Sequence, residues 1–147
     1  WIGALPGIAG VFSMVAGAAY SDKTCNRAGI VAAGWLGGAI CMGWAAQVSS
    51  PWWTLVAFTF MGAATAAANG PFWAMSSSLF SGVAAAGSIA LINSIGNLGG
   101  FVGPTAVGII TEYAGGYRTA LFALCAVMAA AGLLALLLPV TQKARPD

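Results

Sequence analysis

The stretch ALINSIGNLGGFVGP, residues Ala90–Pro104, holds no charged residue, two asparagines four positions apart and four glycines among aliphatic side chains. Its setting decides how it folds. No Asp, Glu, Lys or Arg occurs between Arg27 and Glu112, a run of 84 residues, and the whole 147-residue chain is 60% hydrophobic and 5% charged. Soluble domains carry about 25% charged residues because they need a polar exterior. A chain this apolar cannot cover itself for water, so lipid is its solvent, and the uncharged run is long enough for three or four spans of about 20 residues. In lipid every backbone amide and carbonyl must find a partner within the protein, which leaves helices or a closed barrel. A barrel would alternate apolar and polar residues over segments of about 10 residues. Runs such as GLLALLLPV and GVAAAGSIALI do not alternate. The expected class is all-α integral membrane.

Several kinds of chemistry are excluded by composition. Cys25, Cys41 and Cys125 are odd in number and widely spaced, which suits neither a disulfide framework nor a metal site. There is no histidine, hence neither the usual metal ligand nor the usual general base. A net charge of +2 is too small for a nucleic-acid surface. A membrane-embedded enzyme needs a nucleophile–base pair or a metal cluster, and Glu112 at the outer end of a span supplies neither. No cofactor or metal is expected. The chain starts at Trp1 with an apolar segment lacking the basic region of a secretory signal, so the start reads as a truncation and the segment as a span.

Five spans are expected, over about 1–20, 28–47, 52–79, 84–111 and 119–140, with a polar tail TQKARPD. If spans alternate, Lys23, Arg27, Lys143 and Arg145 share one side and only Arg118 lies on the other. Cytoplasmic loops are enriched in Lys and Arg. The loop 21–27 and the tail are therefore expected in the cytoplasm, with Trp52, Trp53, Tyr113 and Tyr117 at the outer interface of an inner cell membrane.

The third span is interrupted by AAANGPFWAMSSSLF. Pro71 cannot donate to the Ala67 carbonyl, and Gly70 adds slack. Two readings stay open, a packing kink and a hinge beside a binding site. In the fourth span, Asn93 and Asn97 share a helical face that Gly100 and Pro104 continue. Gly96, Gly99, Gly100 and Gly103 form a small-residue strip of the kind that lets helices approach closely. An unpaired amide in hydrocarbon costs several kcal/mol, so both asparagines must face protein or water. Interhelical hydrogen bonding accounts for one amide. Two on one face, opposite an interrupted helix carrying Asn69, Trp73 and Ser76, suggest a polar wall at the midplane, where transporters place substrate.

These residues carry a resemblance. The segment AGAAYSDKTCNR resembles the loop signature of the major facilitator superfamily in its second-half copy. GPFWAM followed by SGVAAAGSIALINSIGNLGGFVGP resembles the tenth and eleventh helices of that superfamily's anion:cation symporters, the bacterial tartrate, phthalate and hydroxyphenylacetate carriers being nearest in style. The chain would then be helices eight to twelve of twelve. Ala18 stands where the signature has glycine, with Gly17 one position early; Lys23 replaces an arginine, Asn26 an acid and Ala28 a second basic residue. By resemblance Trp73 and Asn93 match substrate-contacting positions, Asn97 a supporting one, and Asp22, Lys23 and Arg27 a gating loop.

The implied activity is uptake of a small organic anion with a proton, by alternating access. No cationic or proton-carrying residue lies within the expected spans, so charge recognition and coupling are expected from a missing N-terminal half of the same polypeptide. The rival reading is a standalone channel or accessory subunit, packed through its glycine-rich faces.

Overall fold

The computed structural model describes residues 4–78 and 81–137. Among them there are five helices and no strand: α1 (Leu5–Thr24), α2 (Arg27–Ala45), α3 (Pro51–Ser78), α4 (Val83–Tyr113) and α5 (Tyr117–Leu137). The helical class is as expected. Residues 1–3 of the first expected span, Leu79 of the third, 138–140 of the fifth and the tail with Lys143 and Arg145 lie outside the described residues.

The expected loop 21–27 is almost entirely helix. α1 runs through Ser21, Asp22, Lys23 and Thr24, and only Cys25 and Asn26 separate it from α2. Nothing in SDKT breaks a helix, and the Thr24 hydroxyl donates back to the Tyr20 carbonyl at 2.9 Å. The chain turns at Cys25, which adopts a left-handed conformation (φ 51) and donates its N–H to the Ser21 carbonyl. Asn26 then caps α2, its side-chain oxygen accepting from the Gly29 N–H at 2.9 Å. Asn26, read in the sequence only as a lost acid, thus starts the next helix.

The expected interruption of the third span is absent as a break. α3 is continuous from Pro51 to Ser78 with Pro71 inside it, and α4 likewise passes through Pro104. Proline removes one i→i−4 bond, which frees the Ala67 carbonyl in α3. That carbonyl is covered by α1: a Cβ on Gly17 would run into the Ala67 carbonyl oxygen, and one on Gly70 would stand 3.2 Å from the Ala18 Cβ. The two backbones cross so closely that the freed acceptor meets protein rather than lipid. This is how a proline is tolerated within a span.

Packing elsewhere follows the same rule. α2 lies between α3 and α5, α1 packs on the other side of α3, and α4 touches α5 and, more slightly, α3. At the crossings a Cβ on Gly34 would lie 2.6 Å from the Ala64 carbonyl oxygen, and one on Gly38 would lie 2.7 Å from the Met128 methyl. Gly132 of α5 meets Leu36 in the same way. The buried apolar side chains are mostly small, including Ala32, Ala39, Ala57, Ala68, Ala120 and Ala135. Large ones point outward, as Phe12 (74% exposed), Ile40 (73%) and Phe101 (75%) do. That is the reverse of a water-soluble core. It fits a solvent of lipid tails, in which helices associate by close van der Waals approach rather than by hiding leucines.

Four helices, α2 to α5, are long and apolar enough to cross a membrane. α1 is diluted by Ser13, Ser21, Asp22 and Lys23, yet its outer face presents Leu5, Ile8, Val11, Phe12 and Val15, all exposed. Hydroxyls within the helices mostly bond back to a carbonyl one turn earlier, as Thr59 does to Leu55 (2.8 Å) and Thr65 to Met61 (2.9 Å). Hydroxyls bonded in this way carry no unpaired donor into lipid.

Candidate site between α3 and α4

α4 starts at Val83 after Gly82 (φ 60) and touches α3 only slightly. Between them opens a cavity of about 520 Å³, lined by Trp73, Ala86, Ile89, Ala90 and Asn93. Trp73 stands five residues before the end of α3 and Asn93 ten residues into α4. Positions 86, 89, 90 and 93 have the spacing of one helical face, so α4 contributes a stripe that begins with alanine and ends with an amide.

Trp73 is braced from behind. The Phe72 ring meets it edge-on at 5.3 Å and 73°, and Phe72 is packed with Trp35 against the buried cluster of Val31, Ala32 and Ala135. The indole is thereby held between the packed bundle and the cavity. Among the described residues the Asn93 amide makes no hydrogen bond, so its donor and acceptor are both free toward the cavity.

Of the expected polar wall, Trp73 and Asn93 come together and the others do not. Asn97 and Asn69 are exposed and outside the lining. Ser76 is 5% exposed and donates to the Phe72 carbonyl at 2.9 Å. The reason is helical phase: with Trp73 toward the cavity, Ser77 at i+4 keeps closer to its face, whereas Ser76 at i+3 turns toward the packed side. Ser76, Ser77 and Ser78 donate to the carbonyls of Phe72, Ala74 and Met75. Of these acceptors only the Met75 carbonyl is among the last four of α3, which no later turn reaches; the other two bonds add to the helical ladder.

The loop residues are split. Asp22 and Lys23 are exposed. Arg27 is half-buried, and its Nη1 donates to the Ala74 carbonyl at 3.2 Å, joining the start of α2 to the last turn of α3 beside Trp73. A guanidinium at a helix C-terminus also meets the negative end of the helix dipole.

Gly96, Gly99, Gly100 and Gly103 have open space where a Cβ would stand. α4 has no buried residue, and Pro104 is exposed like its neighbours. The close-packing glycines are Gly17, Gly34, Gly38 and Gly132. The Gly34–Gly38 spacing of four was a visible signal for them; Gly17 and Gly132 had none apart from their partners. Ala86, Ile89 and Ala90 were likewise missed, although the helical stripe leading to Asn93 points to them.

In comparison with known proteins, residues 1–147 match the family model of the Major Facilitator Superfamily. Two relatives from Agrobacterium vitis, each named "Putative tartrate transporter", are 38% and 37% identical over 138 residues, which is 94% of this chain and 31% and 32% of theirs. A relative from Acinetobacter baumannii, named "Quinolone resistance transporter", is 30% identical over 128 residues, 87% of this chain and 30% of its own length. The chain thus spans about a third of the length of the curated relatives it matches. No solved structure matches it at a significant level.

Proposed function

The chain belongs to the Major Facilitator Superfamily, and on that premise we propose that it forms one wall of a transport path for a small organic anion, moved together with a proton by alternating access. The observation that carries this reading is the cavity between α3 and α4, where a braced indole and an unpartnered amide face the same space. An amide can donate to a carboxylate or bond a hydroxyl in either direction, and the indole offers an apolar face with one N–H. The names of the relatives support a small-molecule cargo.

The work is carriage rather than bond-making. In the proposed cycle two sets of helices rock about the site. Gly70 and Pro71 in α3, and the glycines with Pro104 in α4, supply the flexible segments. Asn97, one turn beyond Asn93, and Asn69 and Ser76 on α3 take supporting roles in this reading. Asp22, Lys23 and Arg27 form the cytoplasmic latch. The spans carry no cation or acid between Arg27 and Glu112, so the groups that neutralise the carboxylate and carry the proton are sought outside this stretch.

The test is uptake into proteoliposomes by the product of the complete open reading frame containing this chain, under an inward proton gradient. Asn93→Ala is expected to raise the KM for the transported anion about tenfold, the loss of roughly one charge-assisted hydrogen bond. Gradient-independent leakage of ions through the protein would contradict the carrier reading and favour a channel.

A further inference from the structure

We propose that the packed cluster between α2, α3 and α5 binds a soft monovalent cation, copper(I) or silver(I), through the Cys125 sulfur and the thioethers of Met42, Met61 and Met128. The site is separate from the α3–α4 cavity and does not rest on the transport reading. Met42, Ala46 and Leu121 form one buried cluster, and Met61, Met128 and Cys125 are packed against it. Three of the chain's five methionines and one of its three cysteines therefore meet at one place, and each of the three helices supplies a sulfur. Finer contacts agree. A Cβ on Gly38 would lie 2.7 Å from the Met128 methyl and 3.8 Å from the Met61 Cγ, so both side chains reach the flank that this glycine leaves open. The Cys125 thiol sits one turn further along α2, 3.1 Å from the Ala39 carbonyl and 3.5 Å from where a Gly43 Cβ would stand. Positions 38, 39, 42 and 43 share one face of α2, which brings Met42 to the same side.

The donor chemistry selects the ion. Thioether and thiolate sulfur suit soft cations such as copper(I), whereas carboxylate and carbonyl oxygens suit hard ones. Thr65, beside Gly38, adds no hard donor: its methyl carbon lies 2.9 Å from the position of the Gly38 Cβ, and its hydroxyl donates to the Met61 carbonyl at 2.9 Å. Charge then selects the valence. On binding, the Cys125 S–H bond breaks, a sulfur–metal bond forms and the proton passes to a buffer base; no electron changes hands. A thiolate with a monovalent cation and neutral thioethers is uncharged overall, while a divalent ion would leave one positive charge inside the membrane, where charge is expensive. Histidine and cysteine spacing are the usual signs of a metal in a sequence. Methionine sulfur falls outside both, and single methionines serve as fillers of irregular interiors, so the convergence shows only in the fold.

The experiment counts copper on the purified product of the complete open reading frame, loaded anaerobically with copper(I) and then challenged with the chelator bathocuproine disulfonate. The wild type is expected to retain one equivalent more than the Met61→Leu/Met128→Leu variant. Leucine and methionine exchange with little change of volume, so the packing survives. Cys125→Ala is expected to lose the same equivalent, and all three substitutions together to lose no more than that. Met42→Leu alone is expected to weaken retention by at least about tenfold. Silver(I) should follow copper(I), and zinc(II) retention should be the same in all these proteins. Equal copper retention by the wild type and the methionine variants overturns the inference and leaves the methionines as packing only. Zinc(II) held by the wild type and lost in the same variants overturns the choice of a monovalent ion. Either failure leaves the anion reading standing, because none of these residues lines the α3–α4 cavity.

Discussion

Gly17 shows how much one residue decides in this chain. Proline at 71 leaves the Ala67 carbonyl without its helical donor, and the missing side chain at 17 lets α1 come down upon that carbonyl. Gly17→Val puts two methyls where backbone already stands, and backbone cannot move aside as a flexible side chain can. Overpacking of this kind costs about 1–3 kcal/mol. The variant is expected to lose several degrees of thermal stability in detergent, followed by tryptophan fluorescence or by aggregation. Gly96→Ala is the control, since nothing lies within 4 Å of the position its Cβ takes. It is expected to leave the described bundle unchanged or to stabilise it by up to about 1 kcal/mol through helix propensity. From sequence Gly96 was expected to pack closely, and Gly17 was given no packing role. The strip at 96–103 was conspicuous because four glycines lie together, whereas Gly17 is explained only by a partner fifty residues further on. Ser21, one turn beyond Gly17, is 2% exposed, and its hydroxyl has no partner among the described residues; we have no physical account of it.

At the scale of elements, α3 is held at its end by α2. Arg27 reaches the Ala74 carbonyl, and Ser77 bonds the same oxygen. Removing the guanidinium leaves that acceptor with a weaker donor and takes a cation from the helix terminus. Together these contribute about 1–2 kcal/mol in a half-buried setting. Arg27→Ala is therefore expected to speed amide hydrogen exchange in residues 74–78 by about tenfold, with exchange in 55–66 unaltered. Uniform exchange across α3 in both proteins would show that the contact does not hold the last turn. By resemblance the residues Asp22, Lys23 and Arg27 were expected to form a gating loop, with no partner helix assigned to them. The register that brings residue 27 to residue 74 is set by the Cys25–Asn26 turn and by the crossing of α2 on α3. Helical phase along α3 explains why Ser76 is unavailable to the cavity while Trp73 is presented to it.

At the scale of the whole molecule, α1, α3, α2 and α5 pack one against the next in that order, and α4 stands against them with no buried residue. The orientation expected from charge has a direct test in Cys25, which is exposed at the turn between α1 and α2. Cys41 and Cys125 lie within spans, and the Cys125 thiol donates to the Ala39 carbonyl at 3.1 Å. With any further cysteines of the reading frame replaced, a membrane-impermeant maleimide is expected to label Cys25 in inside-out vesicles and not in intact cells. Labelling in intact cells would reverse the topology and with it the placing of the latch.

The sequence by itself determined the solvent, the class and the number of helices. Those depend on composition and on uninterrupted apolar length, which are local properties summed along the chain. It also named Trp73 and Asn93, but only among a wider set with Asn69, Asn97 and Ser76, and it was the family resemblance that set those two apart. Only the tertiary structure decided that α3 continues through Pro71, that Asn97, Asn69 and Ser76 lie apart from the cavity, and that the close-packing glycines are those of α1, α2 and α5. Helix phase and helix crossing set these outcomes. A turn of one residue moves a side chain by about 100°, and which carbonyl lies beneath a glycine depends on two segments that the sequence keeps far apart.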